Sequence, residues 1–111
     1  MIGIHLIIDG ILQGGIDGDH ISAILSELPS LIGMNILAGP LVVEGNPENP
    51  GWTGFVIIDK SHIAIHTFDI GNKVSIDVYS CKKFDDREVL RYLEDKLHFS
   101  KLNVRVLDRS E

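Results

Sequence analysis

The sequence predicts an α+β fold: a two-layer sandwich in which an antiparallel sheet carries two helices packed on one face. Three observations lead there. Several stretches alternate apolar and polar residues with a period of two, as strands with one buried face do. Two others, after Asp19 and after Asp85, space their apolar residues by three and four. Strand-like stretches also follow one another in runs instead of alternating with helices, which favours antiparallel pairing. At 111 residues, with 44% hydrophobic and 23% charged, the chain reads as a single domain over 1–111 with enough apolar side chains for a core.

Residues 1–9 read as a buried strand. Their apolar start lacks the basic flank of a leader, and His5 and Asp9 interrupt it far short of membrane-spanning length. A loop holding Gly10, Gly14, Gly15 and Gly18 follows. Asp19 is expected to cap a first helix whose stripe is Ile21, Ile24, Leu25 and Leu28. Pro29 ends or kinks it, with Gly33 closing the turn. Residues 35–44 look like strand broken at Gly39-Pro40, and "EGNPENPG" (44–51) is loop, because prolines, asparagines and glycines dominate it. Strands are expected at 52–59, 61–68 and 73–81, the last two joined by a loop with Gly71-Asn72. Asp85 and Glu88 suggest a capping box for a helix over 85–98, with Val89, Leu90, Leu93 and Leu97 on one stripe. A last strand is expected at 101–108. Two helices on one side leave the other sheet face bare and half apolar, and such a face usually meets something, often a second copy.

Composition excludes some functions. A net charge of -6 leaves no basic surface for phosphates, so nucleic acid is not an expected partner. Cys81 is the only cysteine, which rules out an internal disulfide and a cysteine-based zinc centre, and fits a reducing cytoplasm.

The stretch "DKSHIAIHT" (59–67) holds the polar groups of interest. The residues on both sides of Lys60-Ser61 look like strand, yet no Gly, Pro or Asn separates them. Either one long strand runs through, or the chain bends at a pair that dislikes tight turns. His62 and His66 would share a metal on a helix, but on a strand they stand about 13 Å apart, so no metal site is expected. No Gly-x-Ser-x-Gly elbow surrounds Ser61, which argues against a hydrolase triad. Taken singly, Ser61 reads as a turn cap, the two histidines as half-buried residues and Cys81 as core packing.

Together these residues form a pattern: Gly51-Trp52-Thr53-Gly54, then Ser61-His62-Ile63-Ala64-Ile65-His66-Thr67, then Ile76-Asp77-Val78-Tyr79-Ser80-Cys81. The pattern resembles the prokaryotic-type S-adenosylmethionine decarboxylase proenzymes, and His5-Leu6 and the helix at 85–98 also fall where that family has counterparts. The resemblance implies a pyruvoyl-dependent decarboxylase of polyamine biosynthesis. Ser61 would attack the Lys60 carbonyl, the chain would cut itself between 60 and 61, and a pyruvoyl group derived from Ser61 would capture a substrate amine as a Schiff base. By the same resemblance His66 assists proton transfer during processing, Thr53 stands where the family has a processing serine, and Cys81 returns a proton to the decarboxylated carbon.

Three positions depart from the family. Lys60 replaces a glutamate before the serine. Thr67-Phe68-Asp69-Ile70 replaces Thr-Trp-Pro-Glu, leaving Asp69 as the nearest group able to bind ribose hydroxyls. The segment before Gly51 has no aromatic for adenine, which leaves Trp52. A smaller amine such as arginine or ornithine is therefore an alternative substrate, and an uncleaved binding or regulatory homologue is a second alternative.

Reach adds a further expectation. In a hairpin about Gly71-Asn72, partners sum to about 143, so Ser61 lies near Cys81 and Lys82. His66 stands about 16 Å up a straight strand, and Thr53 farther still. A homodimer whose two copies share active sites is the economical arrangement.

Overall fold

The computed structural model describes residues 2–110; Met1 and Glu111, and with Met1 the first position of the expected opening strand, lie outside them. The elements are β1 (Ile4–Leu12), α1 (Gly18–Leu31), β2 (Ile36–Glu44), β3 (Trp52–Ile58), β4 (Ser61–Phe68), β5 (Lys73–Ser80), α2 (Asp86–Leu97) and β6 (Phe99–Asp108). The strands form one six-stranded sheet in the order β2-β3-β4-β5-β1-β6, with every pairing antiparallel. This is the predicted α+β architecture.

Alternation decides which face is buried. Leu6 and Ile8 of β1, Val56 and Ile58 of β3, Ile63 and Ile65 of β4, and Ile76 and Val78 of β5 are fully buried, together with Ile21, Leu25 and Leu28 of α1 and Val89 and Leu93 of α2. Each such large side chain contributes about 1.5–3 kcal/mol by leaving water. Both helices lie on this side. The alternate residues point the other way, and Leu41, Val43, Phe55, Ile57 and Leu107 on that second face are exposed.

Several boundaries move. The cap of α1 is Asp17, whose carboxylate accepts the His20 N–H at 2.9 Å, while Asp19 sits inside the first turn. The acidic pair there suits either residue as a cap, and reach to the third helical N–H selects the earlier one. β1 continues through Gly10 to Leu12 because β6 presses on it: a Cβ at Gly10 would lie 2.7 Å from the Lys101 carbonyl oxygen and 2.8 Å from the Phe99 ring. β2 runs on past Gly39-Pro40, with register shifts between Ala38 and Leu41. β6 begins at Phe99, two residues earlier than expected. The Asp85 carboxylate caps α2 as predicted, accepting the N–H groups of Arg87 and Glu88.

The β4–β5 register also differs. His62 pairs with Tyr79 and Phe68 with Lys73, so partners sum to 141. The turn spans Asp69–Asn72 rather than centring on Gly71-Asn72, and the Asn72 N–H donates to the Asp69 carbonyl. A shift of two leaves each side chain on its expected face.

Candidate active site

The chain bends at the questioned link. Ile58 pairs with Ser61, so β3 and β4 form a hairpin whose connection is only Asp59-Lys60. Tight hairpin loops need a residue at positive φ, and here Lys60 supplies it, with φ of 50°. A side-chain-bearing residue held there stores about 1–3 kcal/mol. The strained residue contributes the carbonyl of the Lys60–Ser61 bond.

Ser61 opens β4 and is buried, with 6% of its surface exposed. Its hydroxyl donates to the Asp59 carbonyl at 2.8 Å and accepts the Cys81 N–H at 2.8 Å. The Cys81 thiol, half-buried just past β5, points at the same Asp59 carbonyl, 3.4 Å away. Ser61, Cys81 and the Asp59 carbonyl therefore form one cluster at the end of the sheet. The juxtaposition of Ser61 and Cys81 agrees with the reach expectation despite the altered register.

Thr53 and His66 form a second cluster. They are register partners on β3 and β4, and Thr53 Oγ1 lies 3.0 Å from His66 Nδ1. Thr53 is thus level with His66 instead of farther from Ser61, because the short Asp59-Lys60 turn folds β3 straight back along β4. His66 stands five residues along β4 from Ser61, an odd number, so the two side chains leave opposite faces of the sheet. One chain does not bring all four residues together.

Around Thr53 and His66 lies a hollow of about 280 Å³ lined by Asn46, Asn49, Gly51, Thr67 and Phe68 among others. The Trp52 N–H donates to Thr67 Oγ1 at 2.9 Å. The Trp52 ring lies on the helix side, close enough to Gly18 that a Cβ there would meet it at 2.8 Å. Asp69 is exposed in the β4–β5 turn, and its N–H donates to the Pro50 carbonyl, tying that turn to the 45–51 loop. Among the described residues, no three His, Cys, Asp or Glu side chains gather as a metal site. None of the described helices is long and apolar enough to cross a membrane.

Two groups carry no role in the sequence reading. One is Asp59, whose carbonyl collects both the Ser61 hydroxyl and the Cys81 thiol; a backbone acceptor leaves no mark in residue type. The other is a polar patch on the uncovered face. His5 Nε2 is 3.1 Å from Asp77 Oδ1, and the His62 ring lies between Phe55 and Tyr79, with centroids at 5.3 and 5.7 Å. Strand parity combined with the register would have found it, since all five residues share one face. Burial, and after it His5, hold His62 below the ordinary imidazole value, against a smaller upward pull from Asp77.

Comparison with known proteins gives the family and the fold. The sequence profile of the S-adenosylmethionine decarboxylase family matches residues 14–110. The S-adenosylmethionine decarboxylase proenzyme of Clostridium botulinum (strain Langeland) is 37% identical over 62 residues, covering 55% of this chain and 53% of that protein. That of Geobacillus sp. (strain WCH70) is 47% identical over 47 residues, 42% of this chain and 38% of the relative. By these alignments the chain spans about half the length of the curated relatives it matches. The crystal structure of the adenosylmethionine decarboxylase from Aquifex aeolicus superposes with a TM-score of 0.77 at 23% identity, covering 99% of this chain and 92% of that one, a likeness of fold. With its profile matched over most of its length and its sheet and helices superposing on a member, the chain belongs to the S-adenosylmethionine decarboxylase family.

Proposed function

We propose that this chain is a self-processing decarboxylase of S-adenosylmethionine, serving polyamine biosynthesis, with Ser61 as the residue that is converted. One observation carries the reading: a buried serine hydroxyl follows a strained residue at a tight turn and touches the backbone of the one cysteine. In the processing step the Ser61 oxygen attacks the Lys60 carbonyl carbon, the peptide C–N bond breaks and an ester links Lys60 to Ser61. Loss of the Ser61 α-proton expels the Lys60 carboxylate. Water then replaces the nitrogen of the resulting dehydroalanine, which leaves as ammonia. The fragment from position 61 begins with a pyruvoyl group and residues 1–60 become a separate chain.

The site suits such a group. Position 61 is shielded from water, the Cys81 N–H is a fixed donor beside it and the Cys81 thiol is near. When formed, the ketone supplies an electron sink for loss of carbon dioxide from a bound amine. Cys81 delivers a proton to the carbon that loses carbon dioxide, and Thr53 with His66 moves protons during processing. Their position on the opposite face supports a homodimer in which Ser61 and Cys81 of one copy meet Thr53 and His66 of the other. Trp52 and Asp69 border the region next to Thr53 and His66, and we assign them to substrate contact.

A second reading has its own observation. The hollow beside Thr53 and His66 is lined by Asn46 and Asn49 with no carboxylate among the residues that form it, and Ile70 is exposed. With no carboxylate there to accept ribose hydroxyls, the observation supports a substrate without a nucleoside, a smaller amine such as arginine or ornithine. Two fragments on a denaturing gel, the second blocked to Edman sequencing, together with labelled carbon dioxide from S-adenosylmethionine, are the expected results. Release from arginine or ornithine alone selects the second reading. A single chain that persists on incubation leaves a binding or regulatory role and refutes both.

A further inference from the structure

The uncovered face has a polar centre in an apolar surround. Phe55 of β3, His62 of β4, Asp77 and Tyr79 of β5, and His5 of β1 occupy neighbouring strands there. Around them Leu41, Ile57 and Leu107 are exposed. The two histidines differ in how a positive charge would be met. His5 has a carboxylate partner, Asp77, at 3.1 Å. His62 is stacked on Phe55 at 5.3 Å and 17° and faces Tyr79, whose ring already has the Arg109 guanidinium 5.0 Å from its centre.

Within the contact with a second copy that the shared-site reading places on this face, we propose that His62 must be neutral for the two copies to associate, so that mild acid separates them. The proposal rests on the shared-site reading, which requires a second copy on this face. Covering the face removes the water that solvates an imidazolium at position 62, and a two-fold axis doubles any charge placed at its centre.

The charged and titratable groups that face His62 from its neighbours are His5 on β1, Asp77 and Tyr79 on β5, and Arg109 beyond β6; β3 presents only Phe55 and Ile57. The carboxylate of Asp77 is engaged by His5, and Arg109 adds positive charge. Asp77 still favours a proton on His62, but more weakly than burial and His5 oppose it. The lowered proton affinity of His62 in the single chain, set by burial and then His5, has the direction this requires.

Sedimentation velocity over a concentration series between about pH 5 and about pH 8, with circular dichroism on the same samples, tests it. The dissociation constant of the wild type should rise on acidification by up to about 100-fold per pH unit, since two protons are taken up per dimer. His62→Gln should flatten that dependence, with His62→Phe as the substitute if the glutamine chain fails to fold, and His5→Gln should retain it. A pH-independent dimer, a slope unchanged in both His62 variants, a slope lost only with His5→Gln, or dissociation that tracks loss of helix signal would each overturn the proposal. A chain that is monomeric even near pH 8 would instead overturn the shared-site reading itself.

Discussion

Co-expressing a His66→Ala chain with a Cys81→Ala chain should restore about one quarter of the wild-type activity per chain, although each alone is inactive. The figure follows from where the residues stand. Ser61 and His66 are five residues apart on β4, about 16 Å at ~3.3 Å per residue, and leave opposite faces of the sheet. Ser61 is tied to Cys81 by the N–H···Oγ contact of 2.8 Å, and His66 to Thr53 at 3.0 Å. Each copy therefore owns two half-sites that belong to different composite sites. Random pairing makes about half of the dimers mixed, and each mixed dimer has one site with all four residues and one lacking two, so about half of one half remains active. Processing follows the same count, because the intact site is also the one able to cut its chain. Labelled carbon dioxide release from the unsorted co-expressed protein measures it, and mixed dimers isolated through two different tags should show about one half. Activity no greater than that of either parent, in preparations where mixed dimers are present, would refute the argument and place the site within one chain.

Three other outcomes follow from packing and charge. Gly54→Ala puts a Cβ 2.6 Å from Ile21 Cγ2 and 2.7 Å from Leu25 Cδ1, so overpacking should cost about 1–3 kcal/mol in urea unfolding; an unchanged midpoint would contradict the tight α1–β3 contact. Asp85→Ala removes the acceptor for the Arg87 and Glu88 N–H groups and should cost about 1 kcal/mol, read from the same transition; no change would mean that water caps α2 equally well. His62 titrates below its ordinary value of 6.5, so between 6.5 and its folded value the unfolded chain binds more protons. Stability present above 6.5 is therefore lost as the pH falls through that window. Urea midpoints of the wild type should drop further on acidification than those of His62→Gln, and parallel curves would remove His62 from the account.

Much of the fold was legible because burial imposes period. The stripe of Val89, Leu93 and Leu97 and the alternation of Ile63, Ile65 and Thr67 follow directly from which face meets the core. What escaped was set by contacts between distant segments. Gly10 read as loop, yet β6 approaches its backbone and keeps it in β1. Asp17 and Asp19 are equivalent as letters, and only the geometry of the first turn separates them. At the site, the resemblance supplied Ser61, Cys81, Thr53 and His66, and reach supplied the neighbourhood of Ser61 and Cys81. Lys60 at positive φ was less legible, because lysine is an unusual residue for that backbone and nothing in its chemistry announces it. The Asp59 carbonyl had no side-chain signal at all.

The most direct test of the account is the intact mass of the purified protein together with the mass of the peptide that begins at position 61. Two chains are expected, 1–60 and 61 onward, the second starting with a pyruvoyl group in place of serine, and one unbroken chain in a Ser61→Ala variant. Turnover by material whose mass is that of a single uncut chain with serine at 61 would contradict it.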